Sequence, residues 1–169
     1  EDGKANSKVS VGTPTETDDE PTEEGQLWNN INQPDAATAS RKMYEGKTTF
    51  TSDLVNSYAW DTALVFIQKF GEEKYKEYSM QGSEELKLAN TGTNNDNPLN
   101  INDMAGNTME WTTETYHNID FYGEVQWLCV YRGFIRYDIS AGFHAAMRFY
   151  VNNISDNGSA LTFRSILYV

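Results

Sequence analysis

The spacing of apolar residues changes along the chain, and each change marks an element. Between Ser57 and Phe70 the residues Trp60, Ala63, Leu64, Ile67 and Phe70 recur at intervals of three and four. That interval places them on one face of an α-helix, and Gly71 supplies a stop. The spacing predicts a helix over 57–70 with the Trp60 stripe in the core. A second helix is expected over 34–45. Asn32 or Gln33 precedes it, Pro34 suits its first turn, Gly46 suits its end, and Ala36, Ala39 and Met43 form a narrow apolar stripe. From Met109 onward β-branched and aromatic residues predict short strands at 109–113, 125–132, 147–151 and 163–169. Phe163, Ile166 and Leu167 are expected in the core.

Between these regions the chain is polar. Residues 72–99 suggest one short helix at 72–78, then turn chemistry through Thr91–Pro98. Ahead of the helices, Val9-Ser10-Val11 fits a short strand. Residues 12–25 form an acidic Thr/Pro/Glu run too poor in apolar surface to order itself. The reading is an acidic, flexible segment at 1–25 followed by one domain at 26–169. The 169 residues suffice for one real core.

Charge narrows the partners. The net charge of −12 argues against nucleic acid and anionic membranes. Residues 1–26 carry eight acids and two lysines, whereas 132–169 carry four arginines and two aspartates. No signal peptide or membrane-spanning run is evident. The chain opens at Glu1 without a Met, as expected of a trimmed piece. Cys129 is the single cysteine, so no intrachain disulfide can form. Its setting, Val125-Gln-Trp-Leu-Cys-Val-Tyr131, predicts a packed and inert thiol.

One stretch carries candidate chemistry: Asn100-Ile-Asn-Asp-Met-Ala-Gly-Asn-Thr-Met-Glu-Trp111. Two readings fit it. A loop bending at Gly106 brings the Asp103 and Glu110 carboxylates and two carbonyls around one hard cation, for which Ca²⁺ suits an all-oxygen set. Alternatively it is a turn that buries Met104 and Trp111 and leaves its acids in water.

The same residues resemble the signature of the formylglycine-generating-enzyme-like (sulfatase-modifying-factor) branch of the C-type lectin fold. Trp28-Asn-Asn-Ile31, the Ala36–Tyr44 segment, Trp60-Asp61, Arg132-Gly133 and Phe163-Arg164 follow in that family's order. The resemblance implies an α+β, C-type-lectin-like fold, with two helices packed on short antiparallel strands in a loop-rich domain. It also implies a structural Ca²⁺ held by Asp103 and Glu110 with the carbonyls of Gly106 and Thr108. Relatives carry strands ahead of this region, including an aromatic, Arg-containing strand that has no counterpart here. Catalytic members use a cysteine pair, which a single Cys129 does not supply. Iron-dependent relatives use a histidine-rich site, whereas His117 and His144 stand 27 residues apart. The expectation is a protein that is not an enzyme.

Residues 132–169 contain no Lys, Glu, Gln or Trp, although the first 131 residues hold 31 of them. Asn codons randomised at both adenines exclude Lys, Glu, Gln, Trp and Met. Such a bias resembles the mark of a diversity-generating retroelement, whose targets include ligand-binding proteins of this fold; Met147 departs from it, and Phe134 and Thr162 stand where the family has Gly. A terminal segment short of long polar residues by chance gives the same count. The leading expectation is a non-catalytic display protein on a cell or virion surface, binding a variable protein or glycan of another cell or host. Expected ligand contacts are Phe134, Arg136, Tyr137, Phe143, His144, Phe149 and Tyr150, exposed on one face, because aromatics and Arg dominate hot spots. The alternatives are a metal-binding domain of unknown enzymatic activity and a structural pilus or surface-tip domain.

Overall fold

The computed structural model describes residues 29–80, 97–119, 121–133, 144–151, 154–158 and 161–169. The segment at 1–25, the possible strand at Val9–Val11, Trp28 and most of the Thr91–Pro98 loop lie outside the described residues.

Among the described residues two α-helices and six strands follow in the order α1 (Gln33–Lys42), β1 (Thr51–Leu54), α2 (Ser57–Phe70), β2 (Met109–Ile119), β3 (Val125–Gly133), β4 (Arg148–Val151), β5 (Leu161–Phe163) and β6 (Ser165–Tyr168). The expected helix over 57–70 is observed with those bounds. Its cap is Asn56, whose side chain accepts from the Ala59 N–H at 2.8 Å. In α1 the Asn32 side chain accepts from Asp35 N–H at 2.9 Å, satisfying a donor that the first helical turn leaves open. This helix ends at Lys42, short of the expected 45. The chain turns through Met43–Gly46, and Gly46 takes a left-handed φ of 83°. The short helix expected at 72–78 is instead a pair of 3₁₀ turns, Glu73–Tyr75 and Tyr78–Met80.

The strands form a four-stranded sheet in the order β4-β3-β2-β5 and a two-stranded ribbon of β1 with β6. The pairs are antiparallel except β2 with β5, which run parallel over Met109–Trp111 and Leu161–Phe163. The expectation of purely antiparallel strands is corrected there. β4 and β5 lie on opposite sides of the β3–β2 pair and run in the same direction, which sets β5 parallel to β2. β1 was not foreseen, because Thr51-Ser-Asp-Leu54 holds one apolar residue; its Ser52 side chain is buried by donating to Ser40 O at 2.6 Å.

Strand alternation sorts the core into two layers. Glu110, Arg132 and Arg148 are register partners on the face that meets Trp60 of α2. Trp111, Tyr131 and Phe149 are register partners on the opposite face, where Trp111 packs with Ile31, Ala36, Leu54, Cys129 and Leu161. Beneath α2, Trp60, Leu64 and Ile67 join Val55, Tyr78, Met104 and Ala145. Three sequence expectations fail at the margins. Phe70 lies in the last turn of α2 and is exposed, Leu167 faces outward, and Met43 falls past the end of α1. The buried side of α1 is Ala36 with Gln33 and Ser40, the latter two polar groups whose partners lie across the fold.

Trp60 is 1% exposed and its indole N–H donates to Ala145 O at 2.9 Å. Truncating it to Ala removes that bond and leaves a large cavity, so Trp60→Ala is expected to cost about 4 kcal/mol in urea unfolding. Phe70→Ala, at an exposed site, is expected to cost under about 1 kcal/mol in the same assay.

Candidate functional site

The loop 97–108 approaches β2 through a run of left-handed residues: Leu99, Asn100, Asp103 and Asn107 have φ values of 53°, 64°, 58° and 69°. Asn and Asp tolerate this conformation because their short side chains bond locally. The loop bends at Gly106 as expected, with the left-handed Asp103 and Asn107 on either side of it. Met104 and Trp111 are buried as the turn reading requires, and so are Asp103, Gly106, Thr108 and Glu110. The acids do not stay in water.

A guanidinium meets them. Arg164, between β5 and β6, donates from Nε to Glu110 Oε2 and from Nη2 to Glu110 Oε1, both at 2.8 Å, and from Nη2 to Asn102 O at 2.7 Å. Burial works against the charge on Arg164. The facing carboxylate of Glu110, helped by Asp103, more than offsets it and raises the Arg164 pKa. Gly106 O accepts from Thr108 N–H at 2.9 Å, and Thr108 Oγ1 shares a 2.6 Å hydrogen bond with Thr162 Oγ1. A Ca²⁺ drawing on Glu110 would have to displace a bidentate guanidinium. The residues as arranged fit an internal cation, Arg164, and not the metal that the resemblance implies.

A second ion network lies on the same face. Arg132 is fully buried and donates from Nη2 to Asp61 Oδ1 and, at 3.1 Å, to Ala146 O. Desolvation pushes its pKa down, and Asp61 opposes that shift. Asp61 Oδ2 also accepts from Arg148 Nη2 at 2.6 Å, and Arg148 Nε reaches Glu114 at 3.3 Å. This half-exposed outer part contributes little stability but ties β4 to α2 and β2.

Of the expected ligand contacts, Phe134, Arg136, Tyr137 and Phe143 lie outside the described residues. His144 is partly buried at the turn over Trp60, its carbonyl accepting from Met147 N–H at 3.0 Å. Phe149 is also partly buried, stacked on Tyr131 with ring centroids 5.5 Å apart. Tyr150 is 57% exposed and stacks on Tyr116 at 5.5 Å. Adjacent residues of a strand face opposite ways, so Phe149 and Tyr150 do not share one face as expected.

The sequence reading missed what Tyr150 joins. β2 and β3 run on past the sheet as a two-stranded ribbon, Thr115–Ile119 against Val125–Cys129. It carries Tyr116, His117 and Trp127, with Phe121 and Tyr122 almost wholly exposed at its tip. His117 and Trp127 are direct register partners, with ring centroids 5.7 Å apart. The available signal was the aromatic pattern around Gly123, whose φ of 82° makes the turn.

Cys129 is buried, donating to Gln33 Oε1 at 3.1 Å, and burial followed by the charge of Asp156 raises its pKa. Native protein at about pH 8 is therefore expected to react with a thiol reagent at least tenfold more slowly than urea-unfolded protein. Arg164→Met, leaving Glu110 buried without its partner, is expected to cost about 3 kcal/mol in denaturant unfolding. Chelator should leave the melting temperature of the unsubstituted protein unchanged.

No helix among the described residues is long and apolar enough to cross a membrane. No curated protein and no solved structure matches the chain. A family model described as the sulfatase-modifying factor enzyme 1-like domain matches residues 30–157, a span that takes in both helices, the acid loop and the sheet through β4. The chain thus belongs to the sulfatase-modifying factor enzyme 1-like family.

Proposed function

We propose that this domain, C-type-lectin-like in fold, is a non-catalytic ligand-binding display protein at a cell or virion surface. Its C-terminal segment, 132–169, is diversified by retroelement copying, and its ligand is a protein or glycan of another cell or host. The observation that carries the reading is the break in composition at residue 132, past which Lys, Glu, Gln and Trp cease.

The geometry supports it in two ways. The ends of the segment are held by buried interactions, Arg132 with Asp61 and Arg164 with Glu110, so exposed residues between them, such as Tyr150, can change without unlocking the core. Between those ends, Tyr150 presents an aromatic ring that lies against Tyr116 of the ribbon. Large, rigid side chains of this kind give contact area at low entropic cost, as in paratopes. The lack of a cysteine pair is consistent with binding in place of the catalysis of some relatives.

The deciding experiment is nucleotide sequencing around the gene. A near-identical non-coding repeat that differs from codons 132–169 only at adenines, beside a reverse transcriptase gene, is the expected result. Sister genes varying evenly along the whole chain would defeat the reading. At protein level, Tyr150→Ala and Tyr116→Ala should each change stability by less than about 1 kcal/mol, since both rings are half in water.

A further inference from the structure

Asn157-Gly158 is the single Asn-Gly step in the chain. It lies in irregular backbone after the turn at 154–155 and shortly before β5. Asn157 is exposed, and no hydrogen bond among the described residues engages its side-chain amide or the Gly158 N–H. The carbonyl of the same glycine is heavily used. Gly158 O accepts from Asn30 N–H at 3.1 Å and from Leu161 N–H at 3.0 Å.

That combination sets a reactive pair beside a structural anchor. The backbone nitrogen after an asparagine can close a five-membered ring on the side-chain carbonyl carbon. A Cβ on the following residue obstructs this approach, and glycine has none. Other asparagines are restrained. The Asn56 amide is tied at both ends, Oδ1 accepting from Ala59 N–H at 2.8 Å and Nδ2 donating to the Tyr168 hydroxyl at 3.0 Å. Asn107 is buried.

We propose that Asn157 is a self-modification site of this chain. The Gly158 nitrogen gives its proton to solvent and attacks Asn157 Cγ. The N–Cγ bond forms, the Cγ–Nδ2 bond breaks, and Nδ2 leaves as ammonia with a proton from solvent. Water then opens the cyclic imide. Breaking the new N–Cγ bond gives aspartate. Breaking the original peptide bond leaves the chain running through Cγ as isoaspartate. The sum is one water consumed and one ammonia released, with no change of oxidation state.

The two products act differently on the fold. Aspartate adds a negative charge beside Asp156. Isoaspartate adds the same charge and also lengthens the backbone by one C–C bond, about 1.5 Å, at the glycine that holds two segments. Asn30 leads into Ile31, whose carbonyl takes the Trp111 indole N–H at 2.7 Å. Leu161 opens β5 and packs in the same layer as Trp111. A solvent-exposed step therefore reaches the apolar layer through one carbonyl, whatever the domain binds.

The full chain would be aged for days at about pH 8 and about 37 °C, then digested with trypsin. Arg148 and Arg164 bound the peptide 149–164, which should gain about 1 Da at Asn157 and carry both products on fragmentation. Gly158→Ala separates the attack from the fold. Its φ lies outside the left-handed region, and a Cβ there meets Leu161 Cδ1 at 3.7 Å, an ordinary contact. That variant should melt with the unsubstituted protein and gain mass at least about tenfold more slowly. The isoaspartate fraction should melt at least about 2 °C lower than unaged protein, whereas Asn157→Asp, with the charge and no added bond, should melt unchanged. Gly158→Ala ageing at the unsubstituted rate overturns the inference. So does a mass gain confined to other asparagines or appearing only after urea unfolding, and so does an isoaspartate chain that melts unchanged.

Discussion

Trp60 lies close to two guanidiniums, and the rest of the fold is arranged around that contact. The Cζ atoms of Arg132 and Arg164 lie 5.9 Å and 5.8 Å from its ring centroid. Each arginine is held by its own carboxylate, Asp61 for Arg132 and Glu110 for Arg164. A buried guanidinium without a partner is among the costliest groups a core can hold. Here each is neutralised by a carboxylate and lies against an indole face, which attracts cations electrostatically. Because the four charged groups come from α2, β2, β3 and the β5–β6 junction, the pairs can form only when those elements are docked. A loss at one pair should therefore be felt across the domain.

Both arginines sit on the same face of the sheet, and the opposite face is built on other terms. There Gln33 bridges α1 to the sheet, giving its amide to Thr112 O at 2.6 Å and accepting the Cys129 thiol. Trp111 donates its indole N–H to Ile31 O at 2.7 Å. One layer is locked by charge and the other by neutral hydrogen bonds around apolar packing. Only the first involves residues of the 132–169 segment at both ends, which separates the frame of that segment from the bulk of the core.

The helices were legible in the sequence because their signals are local. Asn56 and Gly71 bracket α2, and the 3.6-residue period of Trp60, Leu64 and Ile67 needs no knowledge of the rest of the chain. β1 was illegible because Ser52 is buried by a hydrogen bond to Ser40, a pairing that residue type does not announce. The acid loop was legible in part. The burial of Met104 and Trp111 followed from their character, but the fate of Asp103 and Glu110 depended on Arg164, 54 residues after Glu110. Spacing along a chain reports which acids are close. It is silent on which cation a distant strand brings to them.

Between Arg132 and Arg164 the described side chains differ widely in how much they hold the fold. Arg148 lies inside the segment, yet its contacts to Asp61 and Glu114 are half exposed, where an ion pair is worth a fraction of a kcal/mol. Tyr150 rests on Tyr116 at the outer edge of β4, and strand pairing there is carried by backbone groups that do not depend on side-chain identity. Arg132 is the reverse case: fully buried, its guanidinium bonded to Asp61 and laid against Trp60. The energetic weight of a position thus falls steeply over the two strands from Arg132 to Tyr150. A frame of that kind separates the residues that hold the domain together from those that only face solvent, and it does so within a single four-stranded sheet.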